Sequence, residues 1–446
     1  MQAFLLDAFR LGGNHLGGNH LGGNHLGGNH LGMFGHPHPT IPDSYSMPKF
    51  SDRALTLPAS PIRKLVPYAE VARSKGTKVF HLNIGQPDVE TPPQFFEAIQ
   101  QADLKVLAYS HSAGIESLRK QISAYYGRLG HEVSEDQIIV TTGASEALNF
   151  IFTAIVNPGD EVIVPEPFYA NYVSFSLGND GVVVPVSTTI ESNFALPSIE
   201  DFEQKLTSRT RAILICNPGN PTGVLYPQEA LEELREFAKR HDLFLIADEV
   251  YREFVYDSNV HHSTLGLEGL EENVIVVDSI SKRFSACGAR IGCVISRNAE
   301  LMDAILKMAQ ARLSPPTLGQ LGAAAVYQLP PDYYQGVVGE YAKRRDLLKA
   351  SLDRIEGVVC PEINGAFYAM VRLPVANSED FCRWMLEEFS HEGATVMMAP
   401  GAGFYASPEL GHDEVRIAYV LNEDDLNSAM VCLAEGLKAY AKAQVS

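Results

Sequence analysis

Basic residues are scarce in this chain. Across 446 residues, 35 Lys and Arg stand against 54 Asp and Glu, a net charge of −19. A chain this acidic repels a polyanion, which argues against nucleic acid as its main partner. Cysteine is sparse as well: the six cysteines (Cys216, Cys287, Cys293, Cys360, Cys382, Cys432) form no CxxC pair and no regular spacing. Cys287 and Cys293 flank Arg290, but no histidine stands near them, so they read as small buried residues and no metal site is expected. Such usage fits a reducing compartment. No apolar run reaches membrane-spanning length. The first ten residues lack the basic start and long apolar stretch of a secretory signal. The expectation is a cytoplasmic protein with neither a membrane nor a nucleic-acid partner.

What is present begins with a repeat. Residues 11–30 are four copies of Leu-Gly-Gly-Asn-His. A His-rich tract can bind metal, but a glycine-rich, nearly uncharged repeat buries no core and should be disordered. Residues 1–46 are therefore expected to lie outside the fold, with Met47 a plausible natural start. The remainder has the composition of an ordinary globular protein, 46% hydrophobic and 20% charged.

From residue 137 onward, short apolar runs alternate with helical stretches. Strands are predicted at 137–140, 161–164, 182–186, 212–216, 243–247 and 274–277. That alternation implies an α/β fold whose largely parallel sheet is covered by helices on both faces. An earlier strand is expected at 79–84. After Pro331 the chain turns helical, then offers strands near 365–371, 395–398 and 415–420, a helix at 379–390 and a closing helix from Glu423. The domains read as a large one over 92–330 and a smaller α+β one combining 47–91 with 331–446.

Polar punctuation falls at the strand ends, where open α/β sheets bind ligands. Thr142-Gly143-Ala144-Ser145 opens a helix, so its amides and dipole suit a phosphate. Asn217-Pro-Gly-Asn220-Pro-Thr-Gly223 makes a turn at a strand end. Asp248 closes a buried strand, where a carboxylate needs a cationic partner. Lys282 follows the strand 274–277 amid small and apolar neighbours; such a lysine is a candidate Schiff-base former. Arg290 stands before Gly292 and another apolar run, in a place expected to be tight and sheltered. Arg416 interrupts an otherwise apolar strand.

Ser279-x-Ser281-Lys282-x-x-Ser285-x-x-Gly288-x-Arg290-x-Gly292, with the turns above in the same order, resembles the signature of class I/II, fold type I aminotransferases, the aspartate aminotransferase-like enzymes that use pyridoxal 5'-phosphate (PLP). The resemblance runs from about Ala59 to the C-terminus. It implies that Lys282 carries the cofactor and moves the α-proton, and that Asp248 holds the pyridine nitrogen protonated. It also implies Asn220 and Tyr251 at the phenolic oxygen, Tyr169 stacked on the ring, and Gly143, Ala144, Ser145, Ser279 and Arg290 around the phosphate. Tyr109, in Tyr-x-x-x-x-Gly114, would reach the phosphate of a neighbouring subunit, making a homodimer with shared sites. On the substrate side it implies Arg416 gripping the α-carboxylate, with Gly85 and Asn220 nearby.

Ser145 stands where some bacterial aspartate aminotransferases place a lysine for the distal carboxylate. Arg312, the one basic residue between Met308 and Pro331, is either its replacement or a helix-end arginine bound to carbonyls or an acid. The first choice predicts aspartate or glutamate as donor and 2-oxoglutarate as acceptor. The alternatives are a neutral or aromatic aminotransferase, or a PLP-dependent carbon–sulfur lyase.

Overall fold

The computed structural model describes residues 48–444. The repeat tract and Met47 lie outside the described residues. Twelve strands occur among them: β1 Lys78–His81, β2 Ile138–Thr141, β3 Glu161–Glu166, β4 Val182–Ser187, β5 Thr210–Cys216, β6 Phe244–Asp248, β7 Val274–Ser279, β8 Gly292–Ile295, β9 Tyr368–Arg372, β10 Ala394–Met397, β11 Ala399–Pro400 and β12 Glu414–Ala418.

Seven of them form one sheet in the order β2-β8-β7-β6-β5-β3-β4. The pairs from β4 through β3, β5 and β6 to β7 are parallel, whereas β8 runs antiparallel to both β7 and β2. Successive side chains of β6 enter opposite cores, Leu245 and Ala247 on one face and Ile246 on the other. Val274 and Val276 of β7 are likewise separated from Ile275 and Val277. A strand buried on both faces has no polar side to show, so it reads as an unbroken apolar run.

β8 was visible in the sequence only as an apolar run. Four buried residues carry no mark of direction. Its antiparallel course follows from the reversal before it, where Ser285 (φ 49) and Arg290 (φ 55) occupy the left-handed region.

The chain before residue 92 shares its sheet with the C-terminal part: β1 pairs in parallel with β10, Lys78 opposite Ala394. β12 lies between β11 and β9, antiparallel to both. Val79, Phe80 and Leu82 pack in one core with Phe381, Met385, Val396 and Leu433, which brings in the helices Ser378–Glu387 and Glu423–Ala443. The strand expected at 79–84 stops at His81. Beyond it the Asn83 side chain turns to the Ile62 carbonyl (2.7 Å).

Candidate active site

The loops that follow β2, β5, β6 and β7 surround a cavity of about 700 Å³, at the edge where parallel sheets bind ligands. Lys282 reaches it from a single helical turn, Ile280–Arg283, directly after β7. Ser279 caps that turn by accepting from the Ser281 amide (3.1 Å), while its hydroxyl donates to the Ile291 carbonyl (2.8 Å). Lys282 is half-buried and its Nζ donates to the Gly85 carbonyl at 2.8 Å. Gly85 therefore meets Lys282 through its oxygen. A Cβ there would fall 1.8 Å from Tyr368 Oη, so the close approach requires glycine.

Arg416, on β12, is fully buried, and burial lowers its pKa. Nη1 donates to Asn220 Oδ1 (3.0 Å) and Nη2 to the Asn83 carbonyl, while Nε is buried without a partner. Asn220 Nδ2 lies 3.4 Å from Tyr251 Oη, which lies 3.0 Å from Tyr368 Oη. Tyr169 is half-buried, and burial pushes its hydroxyl up to about 12. It accepts from Asn171 Nδ2 at 2.8 Å and stands edge-on to Tyr172.

Asp248 ends β6, almost wholly buried. Tyr172 donates to Oδ2 at 2.8 Å and the Val250 amide reaches Oδ1 at 3.4 Å. No Lys, Arg or His pairs with it among the described residues, and burial pushes its pKa up to about 6. Such a carboxylate suits a ligand bearing its own positive charge. At the far end of the cavity, Ala144 and Ser145 open the helix Gly143–Ile155 beside Ser279, Ser281 and Arg290. Gly143, at φ +73, backs this corner; a Cβ there would meet Arg290 Nη2 at 2.4 Å. Arg290 is exposed, contrary to the sheltered place expected of it: it is the left-handed cap of the short turn 287–289 and stands at the cavity wall. It bonds the Cys287 carbonyl (3.0 Å), and no acid pairs with it among the described residues. A guanidinium with no acid partner and a helix N-terminus are the donor set for a phosphate. The residues present thus fit a phosphate-bearing cationic heterocycle.

Two expected residues lie elsewhere. Arg312 does not line this cavity. Its guanidinium pairs with Glu146 (3.1 Å) and bonds the carbonyls of Ser112 (3.0 Å) and Val140 (3.4 Å), the arrangement of a helix-end arginine holding carbonyls and an acid. Glu146 also accepts from the Thr142 amide at 2.7 Å, so Arg312 braces the helix start from behind. Tyr109 is 78% exposed and does not line its own chain's cavity.

The cavity also holds residues that were not singled out: Arg63, Asn171 and Tyr368. Asn171 follows Tyr169 by two positions, and Tyr368 falls in the strand expected at 365–371, where an aromatic reads as core. Among the described residues, no His, Cys, Asp or Glu cluster could hold a metal, and no helix is long and apolar enough to cross a membrane.

A lysine, a buried acid and a buried arginine gathered at the strand ends of such a sheet define an amine-handling enzyme. The chain belongs to the aminotransferases of class I and II, whose family profile matches residues 77–432; it is a transaminase. It is 36% identical over 387 residues to the YugH protein of Bacillus subtilis (strain 168), covering 85% of this chain and 96% of that one. It is 33% identical over 364 residues to the aspartate/prephenate aminotransferase of Thermus thermophilus, covering 80% and 91%. A solved alanine aminotransferase from Pyrococcus furiosus superposes with a TM-score of 0.80 at 32% identity, covering 88% of this chain and 100% of that one.

Proposed function

We propose that this transaminase works with PLP, takes aspartate or glutamate as amino donor, and passes the amino group to 2-oxoglutarate. The observation that carries this reading is Asp248, a buried carboxylate that makes no ion pair among the described residues. PLP, when bound, supplies a reactive carbonyl for the donor's amine and an electron-withdrawing ring. Asp248 would hold the proton on the ring nitrogen. Asn220 and Tyr251 would donate to the phenolic oxygen, and Tyr169 would cover the ring face. Ala144, Ser145, Ser279 and Arg290 would bind the phosphate, with Gly143 allowing the approach. Arg416 orients the donor through its α-carboxylate, for which its unpartnered Nε is a ready donor. Lys282 then takes the α-proton on Nζ and returns it elsewhere, held toward the cavity by the Gly85 carbonyl.

Support for a dicarboxylic donor comes from the aspartate/prephenate relative. The alanine aminotransferase neighbour favours the runner-up, a neutral donor. A half-reaction screen decides between them: the holoenzyme's visible absorbance is followed with each amino acid in turn. Aspartate and glutamate should discharge it fastest. Alanine or an aromatic donor in that place would install the runner-up, and pyruvate or ammonia released without an acceptor would indicate a carbon–sulfur lyase.

The same reading includes a homodimer with shared sites in the cytoplasm. Tyr109 is exposed beside Val106 (74%) and Leu107 (62%), an apolar strip suited to a second copy, and all six cysteines are free. It further assigns 47–91 and 331–446 to one lobe and 92–330 to the other.

A further inference from the structure

Glu166 is the last residue of β3 and is wholly buried, yet it makes no ion pair among the described residues. Four donors hold its carboxylate instead. Ser187 (2.7 Å) and Ser407 (2.5 Å) give their hydroxyls to Oε1, and the amides of Ala406 (2.8 Å) and Ser407 (3.1 Å) point at Oε2. Its own carbonyl accepts from the Thr188 amide (2.9 Å) and hydroxyl (2.8 Å), so the carboxylate starts from a fixed point. A carboxylate is costly to bury unless hydrogen bonds satisfy it, and here two of them come from a stretch of backbone 240 residues away.

That stretch continues the turn Gly401–Phe404 and is fastened at three further places. The Phe168 amide, two residues after Glu166, bonds the Phe404 carbonyl at 2.9 Å. Tyr405 Oη donates to Glu414 Oε2 at 2.6 Å, tying the loop to the first residue of β12, two before Arg416. Pro61, on the turn that bears Arg63, packs on Gly403 so closely that a Cβ there would lie 2.3 Å from it.

What the loop presents to the site is the Phe404 ring. The Arg416 guanidinium carbon lies 4.9 Å from the centre of that ring and 4.6 Å from the centre of the Tyr368 ring. Arg416 has two hydrogen bonds and an unpartnered Nε, so the rings against it share in setting where the guanidinium stands.

We propose that Glu166 is a positioning residue for Arg416. It fixes the loop 404–407, the loop fixes Phe404, and Phe404 fixes the guanidinium before a donor arrives. This rests on the reading above that Arg416 orients the donor's α-carboxylate. Glu166 does not line the cavity, so its effect on donor binding passes through the loop. An arginine already aimed loses less freedom on binding. Loosening it is felt by every donor with an α-carboxylate, whatever its side chain.

The test uses the holoenzyme and measures KM and kcat with aspartate and with alanine. The variants are Glu166→Ala, Glu166→Gln and Phe404→Leu, each alone and combined with Arg416→Lys. Glu166→Ala leaves the loop amides without their acceptor, and KM should rise roughly ten- to a hundredfold for both donors while kcat at saturation holds. In Glu166→Gln the side-chain oxygen can accept both amides and the nitrogen can donate to both serine oxygens, so most of the native KM should return. Phe404→Leu keeps apolar bulk and the Glu166 bonds but removes the ring, and KM should rise in the same sense. With Arg416→Lys present, Glu166→Ala should add little, because the group it positions is gone. An unchanged KM in Glu166→Ala overturns the proposal. Should that variant not fold, an unchanged KM in Phe404→Leu does the same. A rise just as large with Arg416→Lys present shows Glu166 acting by another route, and overturns it too. If Arg416→Lys alone leaves KM unchanged for both donors, the α-carboxylate reading falls and this inference with it. A rise in Arg416→Lys without one in Glu166→Ala keeps that reading and removes only the role of Glu166.

Discussion

Arg283 Nη2 lies 2.7 Å from both carboxylate oxygens of Asp278, and both side chains are wholly shielded from solvent. Tyr126 adds a third bond to the same carboxylate at 2.9 Å. The pair brackets Lys282 and pins the end of β7 to the turn that follows. The Lys282 side chain donates one hydrogen bond among the described residues, to the Gly85 carbonyl, and its Nζ lies 5.9 Å from the Tyr251 and Phe367 ring centres, so the buried clamp beneath it adds to the precision of its placement.

Removing the cation should be costly. In Arg283→Ala the Asp278 charge stays buried without its partner, and unfolding free energy should drop by about 3–5 kcal/mol. Urea denaturation measures this; a loss below about 1 kcal/mol would mean that Tyr126 and solvent satisfy Asp278 alone.

Asp248 predicts a pH-dependent stability for the cofactor-free chain. Burial raises its native pKa from 3.8 to about 6. The folded state thus holds this proton more tightly than the unfolded one. The destabilisation is absent below 3.8, grows as pH rises through that window, and is complete above about 6. Its full size is about 3 kcal/mol. Asp248→Asn should therefore stabilise the cofactor-free protein at pH 7.5 and leave it unchanged at pH 4. The same substitution should slow transamination by roughly a hundred- to a thousandfold or more. Equal urea midpoints for the two proteins across that pH range would show that Asp248 carries no such cost.

Arg312→Ala should act on stability and not on donor choice. Losing the Glu146 pair and the carbonyl bonds should cost about 1–3 kcal/mol, read by thermal or urea unfolding. The ratio of kcat/KM for aspartate to alanine should not move. A selective loss of aspartate activity would return Arg312 to the substrate side, acting on a second copy's site.

Shared sites, as proposed, would make complementation possible. Lys282→Ala should be inactive yet folded, since a half-buried side chain with one hydrogen bond is lost cheaply. If Tyr109 serves a second subunit, an inactive Tyr109 variant mixed with Lys282→Ala should regain about a quarter of native activity after subunit exchange. No recovery despite confirmed exchange would end the shared-site reading.

Much of this was legible in the residues, for identifiable reasons. Runs such as Val274–Val277 announce a strand buried on both faces. Asp248 and Arg416 stand out as lone charges among apolar neighbours, and Lys282 and Asn220 as polar residues just past strand ends. What stayed illegible depends on contacts between distant segments. Arg312 looked available because Glu146, its partner, stands far away in the chain. The turn bearing Arg63 has no periodic pattern, and its position is set by Gly403 and Asn83. The resemblance pointed to Gly85 on the substrate side, but not to its oxygen meeting Lys282 or to Tyr368 packed against it.

The turn at Ser60–Leu65 lies outside the seven-stranded sheet whose ends carry Lys282 and Asp248. The turn nevertheless lines the same cavity as both of them, and Asn83 ties it to Arg416 on the three-stranded sheet. A library confined to those few residues would vary this one wall of the cavity while Lys282 and Asp248 stay where the large sheet puts them.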